Sequence, residues 1–364
     1  MKFLKVLLFA ILIFVSVSAL SYVSYLRLVE APLEISKDFV FEVQRGESMS
    51  GVIAQMSSKG VIDKPWLAKI YVRHKGLARD LKAGEFTIPV GISLGGLFEL
   101  LTSNKQIKYR LTIVEGSTFA EARMIVASSE KLTIELEGKS DKEVLALLQG
   151  DSSGIADSGS LIEEKQALRY PHPEGSIYPD TYFYHKGDSD LSILKRAHKR
   201  LVDVLEEEWQ GRSPKLPIKS SYEALILASI VEKETGKPSE RGEIAGVFTR
   251  RLEKGMRLQT DPTVIYGLGS RYQGNITRKH LRELTPYNTY RINGLPPTPI
   301  ALVGRDAIHA ALNPKSGKSL YFVAKGDGSH AFSETIEQHN KAVRQYQLKR
   351  RSDYRSSHQS TDNE

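Results

Sequence analysis

Apolar and polar positions change period several times along the chain, beginning with a run that has no polar side. Lys2 and Lys5 precede twenty-one uncharged residues, Val6 to Leu26. Twenty-one helical residues rise about 31 Å, close to a bilayer core, so the run predicts a transmembrane helix over 6–26. A cleavable signal peptide is the competing reading, with Val17-Ser18-Ala19 as the segment to be cut. Apolar residues continue past that point, and Tyr22 and Tyr25 suit a membrane interface. The flanking lysines orient residues 1–5 to the cytoplasm and the body to the other side.

Beyond a short stalk at 27–38, Phe39, Phe41 and Val43 alternate as in a half-buried strand. Gly46 then turns the chain into a helix that Ser48 caps, with Ile53 and Met56 inward. A second strand and short helix occupy 81–104, so 39–105 predicts a small α+β module. Residues 109–122 give a strand, a turn at Gly116 and a helix from near Ser117. Residues 149–160 are rich in Gly, Ser and Asp and read as an exposed loop. The aromatic, proline-punctuated stretch 171–188 fits ordinary packing or a sugar-stacking groove. After Asn340 the chain becomes polar and charge-dense, and 346–364 reads as a solvated tail.

The most informative pattern is Tyr222 to Thr235, a helix with no Gly or Pro that is stopped by Gly236 and Pro238. Ser239 is placed to cap the helix that follows. Steps of three, four and seven back from Glu234 meet Val231, Ile230 and Leu227, the most apolar stripe; the same steps from Glu232 meet Ser229, Ala228 and Leu225. Two residues correspond to about 200° of rotation, so the two carboxylates point apart. Glu234 continues the buried stripe and Glu232 falls toward a flank. A carboxyl that loses hydration there keeps its proton to higher pH, as a general acid requires; the bland alternative is a helix-end glutamate paired with a basic residue. Glu232 reads as a support for the acid or as a salt-bridge partner.

Downstream, Met256, Leu258 and Thr260 alternate with Arg257 and Gln259, predicting a strand that must end at Asp261-Pro262. Residues 285–300 carry Tyr287, Asn288, Thr289 and Tyr290 into a proline-rich loop, and 319–340 predict a hairpin around Gly326-Asp327-Gly328. Gln259, Thr260, Asp261, Tyr287, Asn288 and Tyr290 are the candidates for orienting a sugar and the acid. Strand-end bonding and core packing are the alternatives for each.

Composition narrows the chemistry. The formal net charge of +8 permits anionic partners, but no zinc-finger or RNA-recognition signature accompanies it, which argues against nucleic acid. The 364 residues contain no cysteine, so disulfides, thiolate metal sites and a cysteine nucleophile are excluded. The nine histidines show no ligand spacing, and His330 and His339 read as turn and surface residues. Neither metal nor cofactor is expected. Ser192-Ile193-Leu194-Lys195 with Lys315-Ser316-Gly317 mimics the motifs of penicillin-binding acyl enzymes, but no Ser-x-Asn lies between them.

"VQRGESMSGVIAQ" and "LKAGEFTIP" look like a LysM-type glycan-binding repeat, with a structural spacer as the alternative. "ILASIVEKETG", "ERGEIAGVFTRRLEKGMRLQTDPTVIYGLG", "YNTYRINGLPPTPI" and "LYFVAKGDGSHAFSETIEQHN" closely resemble the MltG/YceG-like endolytic murein transglycosylases. The resemblance implies an α+β protein with a transmembrane anchor (6–26), a LysM-like module (39–105) and a larger catalytic domain (106–345). It implies a single-pass inner-membrane enzyme with its body in the periplasm. That enzyme would cleave the MurNAc–GlcNAc bond of nascent peptidoglycan, leave 1,6-anhydro ends, terminate strand elongation and partner peptidoglycan synthases. The second glutamate of the family's Glu-Lys-Glu-Thr motif is its acid, and here that residue is Glu234. A non-catalytic, membrane-anchored peptidoglycan scaffold is the alternative.

Overall fold

A computed structural model describes residues 2–150 and 170–348, so residues 151–160 of the expected loop and the tail beyond Leu348 lie outside the described residues. The chain folds as two compact units. The first runs to Arg110 and adds Lys131–Thr133 and Phe183–Asp188; the second holds the remainder.

The first unit comprises α1 (Lys2–Glu30), β1 (Phe39–Val43), α2 (Met49–Ser58), α3 (Pro65–Lys75), β2 (Gly84–Ile88) and α4 (Leu94–Thr102). β1 and β2 pair antiparallel with Phe39 opposite Ile88 and Val43 opposite Gly84. Their period of two sends Phe41, Val43, Phe86 and Ile88 into a core shared with Ile53, Met56, Leu97 and Phe98. Ser48 caps α2 by accepting the Gly51 N–H at 3.1 Å. α1 is long and apolar enough to cross a membrane. The expected stalk at 27–38 is packed and not free: Val29, in the last turn of α1, is 5% exposed within this core, with Leu33 and Ile35 packed against it. The Leu33 N–H donates to the Ile92 carbonyl at 2.8 Å. Apolar side chains at 29, 33 and 35 gain more from burial than from a hydrated linker.

β3 (Tyr109–Thr112) and β4 (Thr181–Tyr184) form a second two-stranded sheet. The second unit is otherwise helical: α5 (Phe119–Ala127), α6 (Asp141–Gln149), α7 (Asp190–Gln210), α8 (Ser221–Glu234), α9 (Pro238–Glu253), α10 (Asp261–Leu268), α11 (Arg278–Arg282) and α12 (Arg305–Leu312). The hairpin β5 (Tyr321–Ala324) and β6 (His330–Ser333) and then α13 (Ile336–Val343) complete it. Tyr178 and Tyr182 are buried, and the Tyr182 hydroxyl donates to the Tyr178 carbonyl at 2.7 Å, so these rings pack and do not form a sugar groove.

α8 is the centre of the unit's core. Every residue from Ala224 to Val231 is buried, which is what an all-apolar helix requires. Its neighbours are α7, α9, α10 and α12. α9 begins at Pro238, two residues before the position a Ser239 cap would give, because a proline in the first turn gives up no needed N–H. Gly246 lets α9 approach the segment after α12: a Cβ there would lie 2.5 Å from the Lys315 carbonyl oxygen.

The expected strand over 256–260 is absent. Its alternation survives, with Leu258 and Thr260 buried and Arg257 and Gln259 exposed. The backbone bonds to a loop and a side chain in place of a ladder: Gln259 N–H to the Thr289 carbonyl at 3.2 Å, and Arg251 Nη1 to the Leu258 carbonyl at 2.7 Å. Asp261-Pro262 then opens α10, a turn that proline favours as much as a strand end.

Candidate active site

Glu234 is the last residue of α8; Thr235 takes an extended conformation, and Gly236 and Pro238 prevent continuation. The carboxyl is half-buried. One of its oxygens, Oε1, accepts a hydrogen bond from the Thr260 hydroxyl. The other takes none among the described residues. Burial pushes the group up to about 7. The Thr260 hydroxyl and the Arg251 guanidinium oppose that rise, and the Asp261 charge adds to it. The negative end of α8 acts in the same direction as Asp261.

Four sequence candidates lie at or beside this carboxyl. Thr260 is buried, with its N–H on the Thr289 hydroxyl at 3.0 Å, which fixes its own hydroxyl toward Glu234. Asp261 is exposed and accepts the Tyr290 hydroxyl at 2.7 Å. Burial raises the Tyr290 phenol, followed by that bond and the Asp261 and Glu234 charges, so it stays a donor. Gln259, exposed beside Thr260, holds a left-handed backbone at φ 50°. Such a conformation in a non-glycine residue is a strain that clusters at functional sites.

The other candidates do different work. Tyr287 bonds Thr298 at 2.8 Å and packs edge-on against Tyr266, so it is a core residue. Asn288 is 1% exposed and spends its amide on the carbonyls of His280, Leu281 and Glu283, while its oxygen accepts the Tyr290 N–H at 3.0 Å. It builds the loop that presents Tyr290. Glu232 does not lie toward a flank. Its side chain is only 5% exposed, paired with Arg241 at 3.2 Å and accepting the Gly304 N–H at 3.1 Å. Since α8 is enclosed on all sides, partners and not the stripe separate the two glutamates.

Two buried charged residues escape the sequence patterns, one of them beside Glu234. Arg251 follows the inward spacing of α9, and its guanidinium clamps the Leu258 and Leu320 carbonyls, both at 2.7 Å, across the face of Tyr321. Burial lowers its pKa, and it sits within the field of Glu234. Glu174, 4% exposed, accepts the Phe119 N–H at 2.9 Å, and burial raises it to about 7. It anchors the first turn of α5. An arginine on a helix's apolar face was the available signal for the first; Glu174 had none.

His330 is a buried partner of Glu240 at 2.8 Å and no surface residue. The acyl-enzyme pattern dissolves: the Ser192 hydroxyl donates to the Ser189 carbonyl and Lys315 pairs with Glu243 at 3.0 Å.

Comparison with known proteins places the chain in a family. The YceG-like family model matches residues 41–345. A Bacillus subtilis protein named endolytic murein transglycosylase is 30% identical over 311 residues, 84% of this chain and 83% of its own. A Streptococcus pneumoniae protein of the same name is 26% identical over 94% of this chain, which spans 65% of the longer relative. The crystal structure of a YceG-like protein from Listeria monocytogenes is 31% identical, with a TM-score of 0.50 over 84% of this chain and 99% of that one.

Proposed function

The chain belongs to the YceG-like family, and from that premise we propose that it is an endolytic lytic transglycosylase of peptidoglycan with Glu234 as its one proton-transferring side chain. The observation that carries the reading is the half-buried carboxyl raised to about 7, with one oxygen held by Thr260. The names of the bacillary and streptococcal relatives support the reaction class.

The protonated Glu234 gives its proton to the glycosidic oxygen between MurNAc and GlcNAc as the C1–O bond breaks. The 6-hydroxyl of the same MurNAc then closes onto C1, and its proton returns to the Glu234 carboxylate. Atoms and charge balance with no water consumed and no second carboxylate needed, unlike hydrolytic glycosidases. Thr260 fixes the rotamer of the acid, the Asp261–Tyr290 pair borders it, and the Gln259 amide is exposed for a sugar hydroxyl or acetamido group. The test is the reducing-end chemistry of products from purified strands: anhydro ends support the reading, free reducing ends point to hydrolysis, and intact strands return the scaffold alternative.

α1 serves in this reading as a membrane anchor with the body in the periplasm. A C-terminal reporter active in the cytoplasm would contradict it. Residues 39–105 serve as a LysM-like glycan-holding module, supported by its strand–helix–helix–strand order. A recess of about 370 Å³ lined by Gln44, Arg45 and Lys82 of this module, and by Gln106 and residues 185–188 outside it, is its candidate groove. Gln44→Ala with Lys82→Ala should weaken retention on sacculi; unchanged retention would leave the module a spacer.

A further inference from the structure

The loop system beside Glu234 is strongly one-signed. Between Gly269 and Asn293 the chain carries Arg271, Arg278, Lys279, Arg282 and Arg291 against one acidic residue, Glu283. Glu283 is already committed to Arg271 at 2.9 Å. Arg278, Lys279, Arg282 and Arg291 are exposed and have no carboxylate partner among the described residues. This basic surface is built onto the site. Asn288 ties the carbonyls of His280, Leu281 and Glu283 to the backbone of Tyr290, and the Tyr290 hydroxyl reaches Asp261. Arg257 joins the same rim through the Tyr290 carbonyl at 3.2 Å.

A glycan backbone whose muramic lactyl groups are amide-linked carries no charge, so a positive rim has nothing to grip on the sugars. The anionic groups of such a strand are the carboxylates of its peptide stems. We infer that the α11 surface, Arg278, Lys279 and Arg282, binds stem-peptide carboxylates and gives the enzyme a preference for strands whose stem carboxylates are free over strands in which they are blocked. This rests on the proposed glycan-cleaving function and adds its substrate selectivity.

The test compares two soluble substrates, both freed of the lipid pyrophosphate end: intact strands, and the same strands with their stem carboxylates capped as neutral amides by carbodiimide coupling to excess ethanolamine, which leaves the lactyl amides in place. For the combined Arg278→Gln, Lys279→Gln and Arg282→Gln variant, kcat/KM on uncapped strands should fall about tenfold at low salt, the sum of three exposed charge contacts. On capped strands it should fall less than twofold. In the wild type, kcat/KM on uncapped strands should decline between low and 0.5 M salt while that on the capped substrate does not, a readout that needs no variant to fold. Equal effects on both substrates, or none on either, would overturn the inference. Wild-type failure to cleave either substrate would overturn the function on which it rests.

Discussion

Glu234 owes its chemistry to a contest among neighbours, and each can be removed singly. Glu234→Gln keeps size but not the transferable proton, so cleavage should fall at least about a hundredfold with folding intact. The free enzyme must start protonated, so the wild-type rate should decline above about pH 7. Asp261→Asn deletes a charge that raises the group and should move that limb to lower pH; Thr260→Val deletes a donor that favours the carboxylate and should move it higher. Limbs that do not move in opposite directions would contradict this electrostatic account. The linkage sign is also fixed. A carboxyl raised from its ordinary 4.5 to about 7 makes the folded state bind the extra proton between those values, so native stability drains away as pH rises through that window. Glu234→Gln should therefore gain melting temperature over wild type at pH 8 and lose that gain at pH 4.

At the scale of elements, α8 is joined to its neighbours through its other glutamate. Arg241 of α9 bonds Glu232 of α8 and Asp306 of α12, and Glu232 accepts the N–H that caps α12. Glu232→Ala leaves Arg241 to the more exposed Asp306 and Glu115 and takes the acceptor from the Gly304 N–H, so it should cost about 2 kcal/mol in denaturant unfolding. Its loss of activity should be no larger than its loss of folded enzyme. Much of this was legible beforehand. α8, the Ser48 cap and the Gly-Asp-Gly hairpin follow from local pattern, since periodicity and turn chemistry act within a few residues. What failed is non-local. The alternation at 256–260 could not reveal that its hydrogen-bond partners are Arg251 and Thr289, and Pro238 outweighed Ser239 as a helix start. Glu174 depends on a fold contact 55 residues away from Phe119, and Glu232 was misplaced because its enclosing elements, α9 and α12, come later in the chain.

For the whole molecule, the apolar helix is continuous with the first unit's core. Val29 sits in that core and the Tyr25 hydroxyl meets His74 at 3.3 Å. A soluble form starting at Ile35 should melt lower than one starting at Tyr25, by the loss of a buried valine worth about 1–2 kcal/mol; equal melting would show that α1 contributes nothing to the unit. The central claim is that one carboxyl cleaves glycan by internal ring closure, and the most direct measurement is mass analysis of product ends from nascent strands treated with wild type, Glu234→Gln and Glu232→Gln. The account predicts 1,6-anhydro ends from wild type, retained cleavage in the folded fraction of Glu232→Gln, and none above background from Glu234→Gln. Anhydro ends released by Glu234→Gln at wild-type rate would contradict it.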